Sequence, residues 1–327
     1  MARAFSPAWP MSYLTTYGPR ADPATGLTWG LIVLSLAVVA IVTVLVAAGV
    51  LRRRQRLAGD GFAGLAVGPE RGGLAFVWTG VGLTLLALIA ALVWTVAVMA
   101  AVGSPPARPA LTLEITGHQW WWEARYLGAD PTQTFVTANE IHIPVGRPVL
   151  VRLAGADVIH SFWIPALSGK TDTIPGRTNL AWLQADRPGV YRGQCTEYCG
   201  LQHAHMAAVV EADPPAAFEA WRQAQLAPAA APAPDGPAAA GAQLFVERCG
   251  ACHAVRGSEA GGAAGPDLTH LMSRATLAAG TVPNTVSGLA GWIANPQALK
   301  PGARMPGFAS LPAARRRVLV AYLEGLR

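Results

Sequence analysis

Polar positions all but vanish twice in the first hundred residues. Residues 27–51, LTWGLIVLSLAVVAIVTVLVAAGVL, run 25 positions without a charge, and residues 74–102 run 29 more. A helix crosses the hydrocarbon core of a bilayer in about 20 residues. Each run therefore predicts a transmembrane helix, and both are too long and too uniformly apolar for the core helix of a soluble domain. Arg52, Arg53, Arg54, Arg56 and Arg71 punctuate the segment between them. Cations concentrate in cytoplasmic loops, so 52–73 is expected inside and both termini outside. The expected home is a bacterial inner (plasma) membrane, with the outer side being the periplasm, or the exterior in a one-membrane species. Residues 1–26 are polar and lack the apolar stretch of a secretory signal; they read as an N-terminal segment on the outer side.

After residue 103 the pattern shortens. LTLEITGHQWWWEARYL, EIHIPVGRPVLVRLAG and AWLQADRPGVYRGQC show near-alternation broken by Gly and Pro. That is the signature of short strands in a β-sandwich or barrel, expected over 103–226. PPAAFEAWRQAQL ends it as a short helix with Pro at its start. Residues 227–240, APAAAPAPDGPAAA, form an Ala/Pro-rich linker, expected to be extended and semi-rigid and so to reach about 40 Å at roughly 3.1 Å per residue. The rest, 241–327, shows helix-like spacing in AGAQLFVERCGACHAV, SGLAGWIANP and LPAARRRVLVAYLEGL. The expected fold class is a multidomain membrane protein: a two-helix transmembrane hairpin, a β-barrel domain and a small all-α domain.

Composition adds little to this picture except at the cysteines. The chain is 52% hydrophobic and 13% charged, and the two apolar runs hold the excess. A net charge of +6 with no dense basic patch argues against nucleic-acid binding. The charge is uneven. Residues 104–226 carry nine Lys+Arg against eleven Asp+Glu, and 241–327 carry nine against four. Domains of opposite sign on one tether favour docking. The four cysteines fall into two close pairs, Cys195/Cys199 and Cys249/Cys252, a spacing better suited to metal or cofactor attachment than to a disulfide framework.

The first pair lies in QCTEYCGLQHAHM. Cys195, Cys199, His203 and Met206 offer thiolate, imidazole and thioether, the donors copper prefers. His160, in DVIHSFWIP, is the upstream candidate for a further nitrogen. Zinc accepts Cys and His but suits a thioether poorly. A catalytic Cys–His pair leaves the second cysteine and Met206 unexplained, and a disulfide leaves the histidines idle. CTEYCGLQHAHM, together with DVIHSFWIPALSGKTDTIPGRTN and ITGHQWWWEARY, closely resembles subunit 2 of cytochrome c oxidase. The resemblance runs from the first membrane helix to about residue 215. It implies a binuclear CuA centre in a cupredoxin-like β-barrel, with His160, Cys195, Cys199, His203 and Met206 as ligands and Glu197 bound through its backbone carbonyl. It also implies a magnesium shared between the Glu197 side chain and subunit 1, and electron entry at Trp120. His118 and His142 read as structural, and His205 as a neighbouring rather than ligating histidine.

The second pair lies in CGACH, the C-x-x-C-H signature of covalent haem c. Cys249 and Cys252 would bind the haem vinyl groups, and His253 the iron. The other axial ligand is sought further on. Met305, in the Pro/Gly-rich loop KPGARMPGF, competes with Met272 and His270 in PDLTHLMS. This segment resembles the class I cytochrome c family, which implies Met305.

A subunit 2 joined to cytochrome c resembles the caa-type haem–copper oxidases. The resemblance implies that a cytochrome c or similar donor reduces the haem, that CuA follows, and that subunit 1 reduces oxygen and pumps protons. It implies subunit 1 and subunit 3 as partners, within membrane lipid, and no oxygen-reducing site in this chain. One departure stands out: many relatives carry a glutamate where LAFVWTG has Ala75, leaving Glu70 as the nearby candidate for proton entry. Competing readings are a CuA-bearing nitric oxide reductase subunit, a copper-delivery protein, against which CGACH counts, and a quinol oxidase subunit, which lacks these copper ligands.

Overall fold

Two long helices carry the apolar runs in a computed structural model that describes residues 6–8, 10–59 and 73–327. Helix α1 is Asp22–Gly59 and α2 is Gly73–Gly103. Both outrun the hydrophobic segments that predict them. Asp22 sits in the first turn of α1, where a carboxylate opposes the positive end of the helix dipole. Arg, Gln and Leu, all strong helix formers, carry α1 beyond residue 51 into the expected loop. No residue of α2 is buried, and Val39, Leu36 and Val33 of α1 are well exposed. Such surfaces call for lipid. Trp94 packs against Gly30 where the helices approach. Ala75 lies in the first turn of α2; Glu70 falls outside the described residues.

The second compact unit comprises the residues up to Asp22 together with Ser104–Arg327. Its first part is a two-sheet β-structure. Strands β1 Leu111–His118, β2 Trp121–Leu127, β3 Phe135–Ala138, β5 Val149–Gly155 and β8 Asn179–Leu183 form one sheet in the order β3-β2-β1-β5-β8. Strands β4 Glu140–Pro144, β6 His160–Trp163, β7 Thr171–Thr173, β9 Gly189–Cys195 and β10 Ala207–Asp213 form the other, in the order β4-β10-β9-β6-β7. The alternation read from sequence is literal. In β1, Leu113, Ile115 and Gly117 point inward; in β9, Gly189, Tyr191, Gly193 and Cys195 do. Trp122, Ile141, Leu153 and Ile164 fill the space between the sheets. Helix α3, Pro215–Leu226, covers one end through Phe218 and Trp221. The N-terminal segment packs here too. Tyr17 N–H donates to the Ala166 carbonyl at 2.8 Å, and Arg20 to the Trp182 carbonyl at 3.0 Å.

The expected extended linker is not extended. Helix α4 begins at Pro237, with Pro at its first position and alanines behind it. The irregular part before it is tied down: Ala229 N–H donates to the Arg256 carbonyl, and the Arg256 guanidinium reaches back to the carbonyls of Gln225 and Leu226. Alanine side chains are small enough to lie flat on a neighbouring surface, so this composition serves a packed strap as well as a free tether.

The last part is helical. Helices α4 (Pro237–Arg248), α5 (Val286–Ala294), α6 (Pro296–Leu299) and α7 (Ala313–Glu324) enclose a core of Leu244, Phe245, Leu289, Ile293, Leu319 and Leu323. A two-stranded ribbon, β11 Thr276–Leu277 with β12 Val282–Pro283, projects from it. Its connection holds Ala278, Ala279 and Gly280 at φ of 52°, 57° and 80°. Two successive non-glycine residues in the left-handed region are costly and persist only where surroundings hold them. Here the β-domain does so: Ala207 N–H donates to the Ala279 carbonyl, and Glu140 accepts from the N–H groups of Ala275 and Thr276, each at 2.9 Å.

Candidate functional site

The first pair of cysteines sits where β9 and β10 are joined. Cys195 is the last inward position of β9, and its N–H donates to the Met206 carbonyl at 3.0 Å. That bond closes the loop 196–206, so strand pairing brings Cys195 and Met206 together. Within the loop the Cys195 and Cys199 sulfurs are 3.8 Å apart. The Met206 sulfur lies 3.9 Å from Cys199 Sγ, His203 Nδ1 lies 3.5 Å from it, and the Glu197 carbonyl lies 3.3 Å from Cys195 Sγ. The Glu197 side chain is exposed. His160, fully buried at the start of β6, completes the cluster: one donor atom each of His160, Cys195 and Cys199 lie within 4.8 Å of one another. Sharing a proton across the sulfur–sulfur contact draws the Cys195 pKa down to about 4 and pushes that of Cys199 up.

Two features mark His160 as a candidate ligand. Its Nε2 lies 2.8 Å from Asp157 Oδ1, which orients the ring. Its Nδ1 is buried without a partner among the described residues, and such a group is costly unless something binds it. Space for the ring comes from β1. A Cβ on Gly117 would stand 2.8 Å from His160 Cδ2, so only glycine fits without displacement.

The second pair follows α4. Cys249 caps the helix, and His253 N–H turns back to the Cys249 carbonyl at 2.9 Å. His253 Nδ1 lies 2.8 Å from the Pro266 carbonyl, and burial lowers its pKa. A neutral imidazole that donates from Nδ1 keeps the Nε2 lone pair free. Burial raises the Cys249 thiol to about 11. Cys249, Cys252, His253 and Met305 all line one cavity of about 300 Å³, walled by Leu268, Leu271, Leu277, Ile293 and Phe308 among others. The competitors of Met305 are elsewhere. Met272 packs on the helical core, and both ring nitrogens of His270 face backbone carbonyls, of Arg327 and Ala227.

The cavity has a wall from the β-domain. His118, Gln119, Trp120 and Trp121 line it. Trp120 is 9% exposed, and its indole Nε1 donates to the Cys199 carbonyl at 2.9 Å; Gln119 Nε2 donates to the same oxygen at 2.8 Å. One aromatic side chain thus borders the second site and is hydrogen-bonded to the first. His118, read from sequence as structural, stacks on Trp121 and faces the cavity with Nε2 buried and unpartnered among the described residues. His142 has Nδ1 2.7 Å from Asp213 and its ring stacked on Trp221. His205 Nδ1 lies 2.7 Å from Gln202 Oε1.

Sequence reasoning overlooked Asp157, Glu140 and Lys300. Lys300 is 3% exposed, and its Nζ donates to the carbonyls of Trp120 and His205 at 2.7 Å and of Ala278 at 3.0 Å. Its signal was rarity: the chain has two lysines, Lys170 and Lys300, and one of them stands five residues before Met305.

Residues 127–213 match the family described as cytochrome c oxidase subunit II, periplasmic domain, and residues 238–327 match cytochrome c. Cytochrome c oxidase subunit 2 of Alkalihalophilus pseudofirmus is 35% identical over 321 residues, which span 96% of this chain and 91% of that one. Its counterpart in Bacillus sp. (strain PS3) is 32% identical over 228 residues, spanning 66% of this chain and 62% of that one. Among solved structures, the periplasmic domain of subunit II of cytochrome oxidase from Bradyrhizobium japonicum is 33% identical. It covers 36% of this chain and 95% of its own, with a TM-score of 0.34.

Proposed function

Because this chain belongs to the cytochrome c oxidase subunit 2 family, we propose that it is the electron-entry subunit, taking electrons at a covalent haem c and handing them through Trp120 to a CuA centre. As an oxidase subunit it is part of an oxidoreductase whose oxygen-reducing site lies outside this chain. The haem iron and the copper pair would supply one-electron redox chemistry; the residues supply position and insulation.

The donor sets fit both groups. His160, Cys195, Cys199, His203 and Met206, with the Glu197 carbonyl, would hold two coppers: the sulfurs already converge, and His160 Nδ1 has an unused lone pair. The exposed Glu197 carboxylate is free to reach a magnesium at the interface with subunit 1. Cys249 and Cys252 would carry the haem, with His253 and Met305 on the iron. Arg274 Nε, buried in the cavity wall without a partner among the described residues, suits the acidic edge of a haem.

The observation that carries the reading is the double position of Trp120. Its ring closes the haem-side cavity while its N–H holds the carbonyl of a copper-side cysteine. An external cytochrome c or similar donor would reduce the haem first. The electrons would go on to subunit 1, where oxygen reduction drives proton pumping, with subunit 3 alongside. Packing of Tyr17 and Arg20 on the β-domain supports both ends of the membrane hairpin lying on one side, the outer side of a bacterial plasma membrane.

The test is flash reduction of haem c in the assembled oxidase, followed by optical detection of copper reduction. Trp120→Phe keeps an aromatic side chain but replaces the indole by a smaller ring and removes the N–H, a bond worth about 1 kcal/mol. Transfer within the chain should slow by about tenfold, with both absorption spectra retained. If removing residues 241–327 left the oxidation of every donor unchanged, the haem domain would not be the entry point.

A further inference from the structure

We infer that Lys300 is a positioning residue for electron entry: it clamps the haem-binding domain onto the β-domain directly over Trp120, and the loop that does so is the loop that presents Met305. The inference rests on the route through Trp120 proposed above and adds what holds that route together.

The argument begins with burial. Lysine is almost never fully buried without a partner, yet Lys300 is 3% exposed. An ammonium has three hydrogens to donate, and Lys300 has three carbonyls to receive them. Two belong to the β-domain, Trp120 and His205, and the third, Ala278, belongs to its own domain. The side chain therefore ties the left-handed turn at Ala278 to the backbone of the tryptophan itself. Its acceptors are backbone atoms, so no side-chain rotation on the other domain releases it.

The following residues extend the contact. The Pro301 carbonyl accepts from Gln202 Nε2 at 2.8 Å. Gly302, at φ +85°, lies flat on the neighbouring domain; a Cβ there would meet Leu201 at 3.1 Å and the Trp120 ring at 3.5 Å. Arg304 reaches Asp157 at 3.7 Å, the same carboxylate that orients His160. Met305 follows at once and faces the cavity. Electron transfer weakens steeply with separation, so a loop that fixes Met305 and Trp120 against each other sets the rate.

Two measurements on the full-length protein in the assembled oxidase test this. In the first, flash-induced haem-to-copper transfer is compared in the native protein and in Lys300→Met, which keeps the apolar stem. Native transfer should change by less than about threefold with salt, because the clamp is buried and only peripheral pairs such as Arg304–Asp157 are screened. The variant should be slower by about tenfold or more, and slower still at high salt, because the surviving contacts such as Arg304–Asp157 are exposed and screened. A variant rate within about twofold of native at both salt concentrations would overturn the clamp, as would a slowing that salt does not alter.

The second measurement needs no variant and no redox activity. Lys300 is one of only two lysines, so labelling by an acylating reagent can be assigned by peptide mass. Native Lys300 should react about 100-fold more slowly than in the unfolded chain; reaction at a similar rate would overturn the proposal. Should Lys300→Met fail to fold, this measurement decides. A protected Lys300 in a protein whose haem reduces without copper following would instead sink the route through Trp120, leaving the clamp intact.

Discussion

The two donor clusters are held by opposite means. On the copper side, strand pairing does the positioning: Cys195 ends an inward-facing row of β9, the Cys195–Met206 backbone bond closes the loop, and His160 stands in the slot left by Gly117. The donors converge on a packed core. On the haem side, four donors border a cavity of about 300 Å³, and part of its wall comes from the other domain. A haem held there would complete the packing of that cavity. One donor set is largely buried within a packed β-structure, and the other borders a cavity walled by two domains.

The strongest way to break this contrast is to deny each site its cofactor. The haem-side cavity of about 300 Å³ is walled by Leu268, Leu271, Leu277, Ile293 and Phe308, apolar surface that a bound haem would cover. Cys249→Ala with Cys252→Ala should therefore abolish hydrogen-exchange protection across 241–327 while β1, β5, β9 and β10 stay protected. Equal protection of both halves would show that the cavity closes without haem. Stripping copper with a chelator should leave both regions protected.

A smaller effect probes how the copper site is oriented. Asp157→Ala removes the acceptor for His160 Nε2. Loss of such an orienting partner typically weakens metal binding by about 10–100-fold. A chelator competition should show this with little change in thermal unfolding. Unaltered affinity would mean that β6 alone sets the ring.

The smallest effect sharpens the comparison at the junction. Arg304 is 72% exposed and 3.7 Å from Asp157, and exposed pairs contribute about 0.2–1 kcal/mol. Arg304→Ala should slow haem-to-copper transfer by less than about threefold at low salt and leave it unchanged at high salt. A larger, salt-independent loss would move the weight of docking from Lys300 to Arg304.

Much of this was legible beforehand, for reasons that can be named. Leucine and valine runs of 25 and 29 residues announced α1 and α2. Period-two alternation located β1 and β9 because one face of each is buried. The cysteine pairs were legible because their chemistry is local: donors within one loop need no tertiary structure to be grouped. The linker misled, since an Ala/Pro-rich segment can reach outward or lie against its neighbour, and nothing local decides between them. The setting of His118 was hidden for the same reason: the cavity it borders is otherwise walled by residues such as Phe245 and Cys249, far along the chain.

The sequence by itself determined which atoms are available: soft sulfur and imidazole in 195–206, the attachment motif at 249–253, and the span of the membrane helices. Those follow from residue chemistry and short-range periodicity. Only the tertiary structure decided that Trp120 joins the two sites, that Asp157 serves both His160 and Arg304, and that one of two lysines is buried between domains. Each of these pairs residues far apart in the chain, and such contacts arise from how two folded surfaces meet.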